Sequence, residues 1–378
     1  LILSDISKEM LLKVIAFSRF IDNKKYLKDI DSLDFDFFRN YKISADLISK
    51  AEDEYIKTID YGGKFLPIFA NEYPDRLKQI PNPPILLTYF GNVDLLNDKI
   101  IAMVGSRSAS YNGLELAENF AKFLSNAGYI IASGLAKGID ARAHIGAIKN
   151  TIAVIGSGIN IRYPSENHKL YDKILENNSC IITEFAFDVK PIPANFPQRN
   201  RIIAGLCLAS LIVEAGMQSG SLSTARLTME YNREVFAIPG FAMDPKYKGN
   251  NFLIKKNIAK LVESPDEIID EVKDIVVDRS VRKVKNIDTN LFNFTKVNNA
   301  QEDDVKMVDE NDERQSLLSD NEEKILSVLS SEYLDIDTIC IRTKMMAHEV
   351  NTYIVSLEMQ GFVKSNGLGH YCKIFKKI

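Results

Sequence analysis

The sequence predicts an α/β protein: an extended Rossmann-like, doubly wound and mostly parallel sheet, flanked by an N-terminal helical domain and a C-terminal winged helix. Three observations carry this. Between Lys99 and Asp270, six short apolar runs alternate with helical stretches, as in a parallel sheet covered on both faces. Small or basic residues follow the ends of most of those runs. Beyond a polar, acid-rich stretch, residues 319–378 carry three helical patterns and then a hairpin pattern.

In chain order, residues 1–60 read as a small helical (SAM-like) domain. Leu11, Leu12, Val14, Ile15 and the run from Phe17 to Phe20 give one apolar face. A second helix starts at Ser44, with Leu47, Ile48, Ala51, Tyr55 and Ile59 at helical spacing. Residues 61–270 form the predicted central domain. Its first part holds Pro67, Pro74, Pro81, Pro83 and Pro84, which exclude a long helix and imply short strands and turns. Strands follow at Ile100–Val104, Tyr129–Ala132, Thr151–Ile155, Cys180–Thr183, Leu208–Val213 and Val235–Ile238. Between them lie helices at Gly113–Asn126, Ile139–Lys149, Glu166–Asn177, Arg199–Ala204 and Ser223–Asn232.

Residues 271–318 read as an acidic flexible linker with too little apolar surface to order itself. In residues 319–378, Ser319-Asp320-Asn321 caps a helix reaching Leu329, a short helix covers Asp337–Thr343, and a third covers Ala347–Met359. Val350, Ile354, Leu357 and Met359 point inward on the third. Phe362-Val363, Gly367-Leu368-Gly369 and Tyr371-Cys372-Lys373-Ile374 then form a hairpin, completing a winged helix. The exposed side of the third helix offers His348, Glu349, Asn351, Thr352 and Glu358 and neither Arg nor Lys. That is a poor phosphate-binding surface, so an interaction or regulatory role is expected for this domain.

The chain has 378 residues and a formal net charge of −4. Whole-molecule attraction to nucleic acid is disfavoured, but a local basic patch is not, because much of the acid lies toward the ends. No apolar run is long enough for a membrane span. The first stretch, which begins at Leu1, lacks the basic region and cleavage site of a signal peptide. Cys180, Cys207, Cys340 and Cys372 are far apart, and no CxxC occurs. A reduced, cytoplasmic protein with neither metal nor cofactor is expected.

The most informative stretch is Asn195–Ala225. It sets Phe196 beside Arg199, Asn200 and Arg201, passes through an apolar strand, and reaches a turn containing Ser219-Gly220-Ser221. Amides at a helix start are unpaired and suit phosphate. Parallel strands bring their carboxyl ends side by side. Ser106-Arg107 after the first strand, Lys137-Gly138 after the second, the Asn195–Arg201 segment and the Ser219–Ser221 turn should therefore share one rim. Cations and amides take phosphates and an aromatic stacks a base, as single-stranded nucleic acid requires. The competing reading is that Arg199 or Arg201 only bridges to Glu184 or Glu214. A dinucleotide site is disfavoured, since GSRSASYNG is not GxGxxG and no acid closes the second strand. No GxxxxGK[ST] occurs, nor any nucleophile elbow. His144 reads as a packed or capping histidine, and Asp140 as an acid at a helix start.

At these residues the chain resembles the DNA-processing protein A (DprA, or Smf) family. The resemblance rests on YPDRL, PNPPILL, AMVGSR, SGLAKGIDARAH, TIAVIGSGI, YPSEN, NFPQRNRIIAGL, VEAGMQSGSLSTA, NREVFAIPG and PDEI, in that order from Tyr73 to about Ile269. It implies a cofactor-free, non-enzymatic protein that binds and protects single-stranded DNA during natural transformation, helps load the RecA recombinase, and forms a homodimer. Carried over by motif, Arg107, Lys137, Phe196, Arg199, Arg201 and Ser219-Gly220-Ser221 fall on the family's basic DNA pocket. Asn257-Ile258-Ala259 replaces the family's Gly-Ala, the linker is long and acidic, and no helix–hairpin–helix signature marks the N-terminal region. An alternative from another class is a nucleotide phosphoribohydrolase; the turn EAGMQSGS is not its PGGxGT pattern. A protein-interaction scaffold is a third reading.

Overall fold

The computed structural model describes residues 2–23, 26–28, 32–275, 320–329, 334–343, 345–346, 349–350, 353–354, 357, 362–365 and 370–373. The chain divides into two units, separated within the stretch 276–319 that lies outside the described residues.

The first unit opens with helices α1 (Lys8–Phe20), α2 (Phe35–Asn40) and α3 (Ala45–Asp60). Ser7 caps α1 by accepting the Met10 amide at 3.3 Å, and Asp34 caps α2 by accepting the Phe37 amide at 2.8 Å. Phe17 of α1 is fully buried and meets Phe37, Phe38 and Tyr41 edge-on, the arrangement the ring quadrupoles favour. This cluster is continuous with Phe65, Leu66, Leu86 and Leu87 at the start of the sheet. The boundary expected at residue 60 is thus a change of secondary structure within one shared core.

Next come β1 (Lys64–Pro67), α4 (Asp75–Lys78) and β2 (Leu86–Gly91). The alternating part follows as β3 (Ile100–Val104), α5 (Tyr111–Asn126), β4 (Ile130–Ser133), α6 (Ile139–Gly146), β5 (Thr151–Val154), α7 (His168–Glu176) and β6 (Cys180–Thr183). It continues as α8 (Asn195–Leu206), β7 (Ala209–Ile212), α9 (Ser221–Glu230), β8 (Glu234–Ala237), α10 (Lys248–Lys255), β9 (Lys260–Leu261) and α11 (Pro265–Val272). The strands form one sheet in the order β1-β2-β6-β5-β4-β3-β7-β8-β9. All pairings from β6 to β9 are parallel; β1 and β2 are antiparallel additions at one edge.

The predicted strands are all present because continuous apolar runs suit a sheet buried on both faces. In β3, Ile100, Ala102 and Val104 join the core that holds Phe17, whereas Ile101 and Met103 join Phe120 and Leu124 of α5. Side chains alternate across the strand, and each side meets a helical layer. From β3 the chain steps outward through β4, β5 and β6, then crosses back along α8 to lay β7 on the other side of β3. The switch point between β3 and β7 is where open α/β sheets bind ligands.

Helix α8 begins at Asn195, earlier than the start expected at Arg199. Pro197 sits in its first turn, where amides have no intrahelical partner and proline is tolerated. Among the described residues, no helix is long and apolar enough to cross a membrane.

The second unit contains α12 (Asp320–Val328), β10 (Leu334–Asp335), α13 (Ile336–Thr343), β11 (Val363–Ser365) and β12 (His370–Lys373). The strands pair antiparallel in the order β10-β12-β11. Asp335 caps α13, accepting the Thr338 amide and hydroxyl at 2.8 Å each. Ile325, Ile339, Val350, Ile354, Leu357 and Val363 form the core of this winged helix. Ser319, His348, Asn351, Thr352, Glu358, Met359, Ile374 and the Gly367–Gly369 turn lie outside the described residues, as do residues 276–318 of the expected linker; its expected start at 271 falls within α11, which buries Val272 in the core.

Candidate nucleic-acid interface

The turns after β3, β4 and β7 interlock. The Ser106 amide donates to the Glu214 carbonyl at 2.7 Å, and the Ser106 carbonyl accepts the Ile139 amide at 3.2 Å. Gly138 has φ +77°, and a Cβ there would collide with the Ser106 and Arg107 carbonyls. Only glycine allows this approach without strain. The buried Glu214 carboxylate accepts the Ser110 amide at 2.9 Å, while the Ser110 hydroxyl accepts the Gly113 amide at 3.0 Å and caps α5. A buried acid therefore satisfies the donors at the start of α5.

Above these turns stands Phe196, half-buried at the start of α8. The Arg107 guanidinium lies 5.0 Å from its ring centre, within cation–π range. The Tyr163 ring lies 5.9 Å away, tilted by 31°. Gly156, at the end of β5, makes room: a Cβ there would lie 3.1 Å from the Phe196 ring. Asn195 is buried and donates to the Gly156 carbonyl at 3.0 Å and to Lys190 at 3.2 Å, fixing the start of α8 against the strand ends.

The predicted cations sort by depth. Arg107 and Lys137 are half-exposed, and Lys137 pairs with exposed Glu166 at 2.7 Å. Arg199 is only 4% exposed and lies beneath the rim. Its guanidinium donates to the Gly134 and Val154 carbonyls and stands 5.9 Å from the Phe196 ring. Burial pushes the Asp140 carboxyl up, and the Arg199 charge is the first influence opposing it, followed by the Gly134 and Ala136 amides. Arg201 pairs with Glu184 and donates to the Asn82 carbonyl at 2.5 Å. Burial likewise raises Glu184, against the pull of Arg201 and then Arg19. The bridging expected of one arginine is thus what Arg201 does.

The Ser219-Gly220-Ser221 turn leads into α9. Its two hydroxyls meet at 2.7 Å, and Asn200 ties it to α8 by donating to Ser223 at 2.9 Å. His144 is fully buried, with Nδ1 2.7 Å from the Thr151 hydroxyl; burial holds its pKa down at about 3. It is a packed histidine. Among the described residues, no three of His, Cys, Asp and Glu gather to hold a metal.

Two contributors escape sequence reasoning. Tyr163 reaches Phe196 from the loop after β5; an aromatic before proline in that loop was the available signal. Arg19 of α1 forms a buried pair with Glu54 at 3.0 Å and donates to the Glu184 carbonyl at 2.5 Å. That contact spans 165 residues, so no local pattern announces it.

A family model described as DNA recombination-mediator protein A matches residues 64–273, and one described as DprA winged helix domain matches residues 310–367. The chain is 38% identical to the DNA processing protein DprA of Streptococcus pneumoniae over 271 residues, 71% of this chain and 94% of that one. It is 33% identical to Protein Smf of Escherichia coli over 301 residues, 79% of this chain and 74% of that one. The X-ray structure of the S. pneumoniae protein aligns with a TM-score of 0.55 at 35% identity, covering 71% of this chain and 95% of that one. DNA processing protein A from Helicobacter pylori, whose structure is described for its single-stranded DNA binding mode, aligns with a TM-score of 0.52 at 27% identity, covering 56% and 95%. The chain belongs to the DNA recombination-mediator protein A (DprA/Smf) family.

Proposed function

We propose that the rim at the β3–β7 switch point binds single-stranded DNA and that the protein acts in recombination without catalysing a reaction itself. The observation that carries this is the Arg107–Phe196–Tyr163 group over Gly156: a cation for phosphate beside rings that stack bases. Arg107 and Lys137 contact phosphates, with Ser106, Gly138 and the Ser219–Ser221 turn contributing polar groups. Asn195, Arg199, Asn200 and Arg201 act from beneath by holding that surface in place. The acids that a hydrolase would need are engaged: Asp140 with Gly134 and Arg199, Glu184 with Arg201, and Glu214 with Ser110. That disfavours the phosphoribohydrolase alternative.

In this reading a cytoplasmic homodimer protects single strands taken up in natural transformation and helps load a RecA recombinase. The relation to the H. pylori protein supports the choice of ligand. The test is a fluorescence-anisotropy titration of labelled oligo-dT over a salt series, with duplex DNA as competitor. Salt-sensitive binding that duplex does not displace is expected. No binding at low salt would overturn the proposal and make a nucleotide-hydrolysis assay the next step.

A further inference from the structure

Beyond the pocket, the same sheet edge carries large apolar side chains in full view of solvent. Phe241 is 75% exposed, Met243 75% and Tyr111 79%. A buried core explains none of them, and each lies beyond a strand end or at a helix start on the edge that bears the pocket. Phe241 follows β8, which is parallel to β7, so it emerges at the edge that bears the pocket. Tyr111 is the first residue of α5, immediately after the Ser110 cap.

The two positions are joined by Tyr247. Its ring fills the space where a Cβ on Gly240 would lie, and its hydroxyl reaches Ser110 and Glu214. The loop is not loose. Asn251 of α10 accepts the Gly240 amide at 3.2 Å and donates to the Gly240 carbonyl at 2.9 Å. The next residues also abut the turn after β7: the Gly249 amide donates to the Ala215 carbonyl at 2.8 Å. Lys246 and Lys248 flank Tyr247 and are exposed, while Asp244 accepts the Lys246 amide at 2.9 Å.

We infer that Tyr111 and Phe241 are base-stacking platforms that extend the single-strand path from the Arg107–Phe196 pocket, across the switch point, to the end of β8. Lys246 and Lys248 supply phosphate contacts along it. Aromatics interleaved with cations on a fixed surface suit a flexible strand whose bases are free. Continuity with the pocket along one sheet edge favours that strand as the occupant. The inference rests on the proposed single-strand binding.

The chain contains no tryptophan, so Phe241→Trp introduces a single reporter at this place. Full-length wild type, Phe241→Ala and Phe241→Trp are titrated with oligo-dT of about 6 and about 20 nucleotides, lengths that separate one pocket from a longer path. The 20-mer should bind wild type more tightly than the 6-mer. Phe241→Ala should lose about 5- to 150-fold for the 20-mer, the effect of one stacked base, and leave the 6-mer unchanged. Phe241→Trp should retain 20-mer binding, and its emission should be quenched by the 20-mer but not by the 6-mer. Absence of all binding by wild type would refute the single-strand reading itself. Equal 20-mer affinity of wild type and Phe241→Ala would overturn the extended path alone. Emission that follows protein concentration and ignores DNA would overturn it too, and assign the patch to contact between copies of the chain.

Discussion

Arg199 offers the sharpest test of how the rim is built. Its guanidinium is buried and donates to the Gly134 and Val154 carbonyls. Asp140 is buried, and the Arg199 charge is the largest influence keeping that carboxyl ionised. Arg199→Met removes two charged hydrogen bonds, each contributing about 1.5–3 kcal/mol, and takes from the buried Asp140 carboxyl the largest influence that favours its ionised form, leaving the Gly134 and Ala136 amides and the Arg107 charge. Losing two such bonds costs about 3–6 kcal/mol. For a unit of this size, with an unfolding entropy of about 2.1 cal/mol/K per residue, that lowers Tm by about 5–10 °C. Removing both partners should do less damage, so Arg199→Met with Asp140→Asn should recover at least about 1 kcal/mol in a denaturation cycle. In the single variant, Asp140 takes up a proton more readily folded than unfolded. Its deficit should therefore shrink as pH falls. If Arg199→Met stayed within about 0.5 kcal/mol of wild type yet reduced the salt slope of DNA binding, Arg199 would be an exposed phosphate ligand and the positioning role would be wrong.

Three further outcomes are expected. Lys137→Ala should weaken binding across all sequences and reduce the log–log salt slope by about 0.7, whereas Glu166→Gln removes that ion pair and should tighten binding; opposite or absent changes in titrations would remove Lys137 from the interface. Arg19→Met leaves Glu54 buried without its partner and should destabilise by about 3–5 kcal/mol; with Glu54→Met added, stability should return while DNA affinity stays reduced, because the Glu184 carbonyl has lost its donor, and full recovery of affinity would show that α1 does not support the rim. His144 is held neutral in the folded protein, so its contribution is complete above the unfolded pKa near 6.5 and is lost as pH falls toward about 3, with a slope of up to about 1.4 kcal/mol per pH unit; the stability difference between wild type and His144→Leu should follow that course in urea unfolding, and a difference constant with pH would contradict it.

What the sequence determined by itself is local or periodic. Runs such as Ile100–Val104 and Cys180–Thr183 specify strands because both faces of a central strand are buried, so nearly every position is apolar and a polar one such as Thr183 is hydrogen-bonded. Ser44 marks the start of α3, because the extended backbone before a helix selects a small set of residue types. The composition of the rim was legible for the same reason: strand ends in a parallel sheet share an edge.

Depth was decided only by tertiary structure. Arg107, Arg199 and Arg201 look alike in sequence, yet one lies over a ring at the surface, one beneath strand ends and one against Glu184. Their surroundings come from β3, β4, β5 and β6, elements far apart in the chain, and burial depends on how those elements close over each side chain. The support from Arg19 and the ring pair of Tyr163 with Phe196 arise in the same way. Each joins elements that are separate in the chain, a long-range packing outcome that no local pattern encodes.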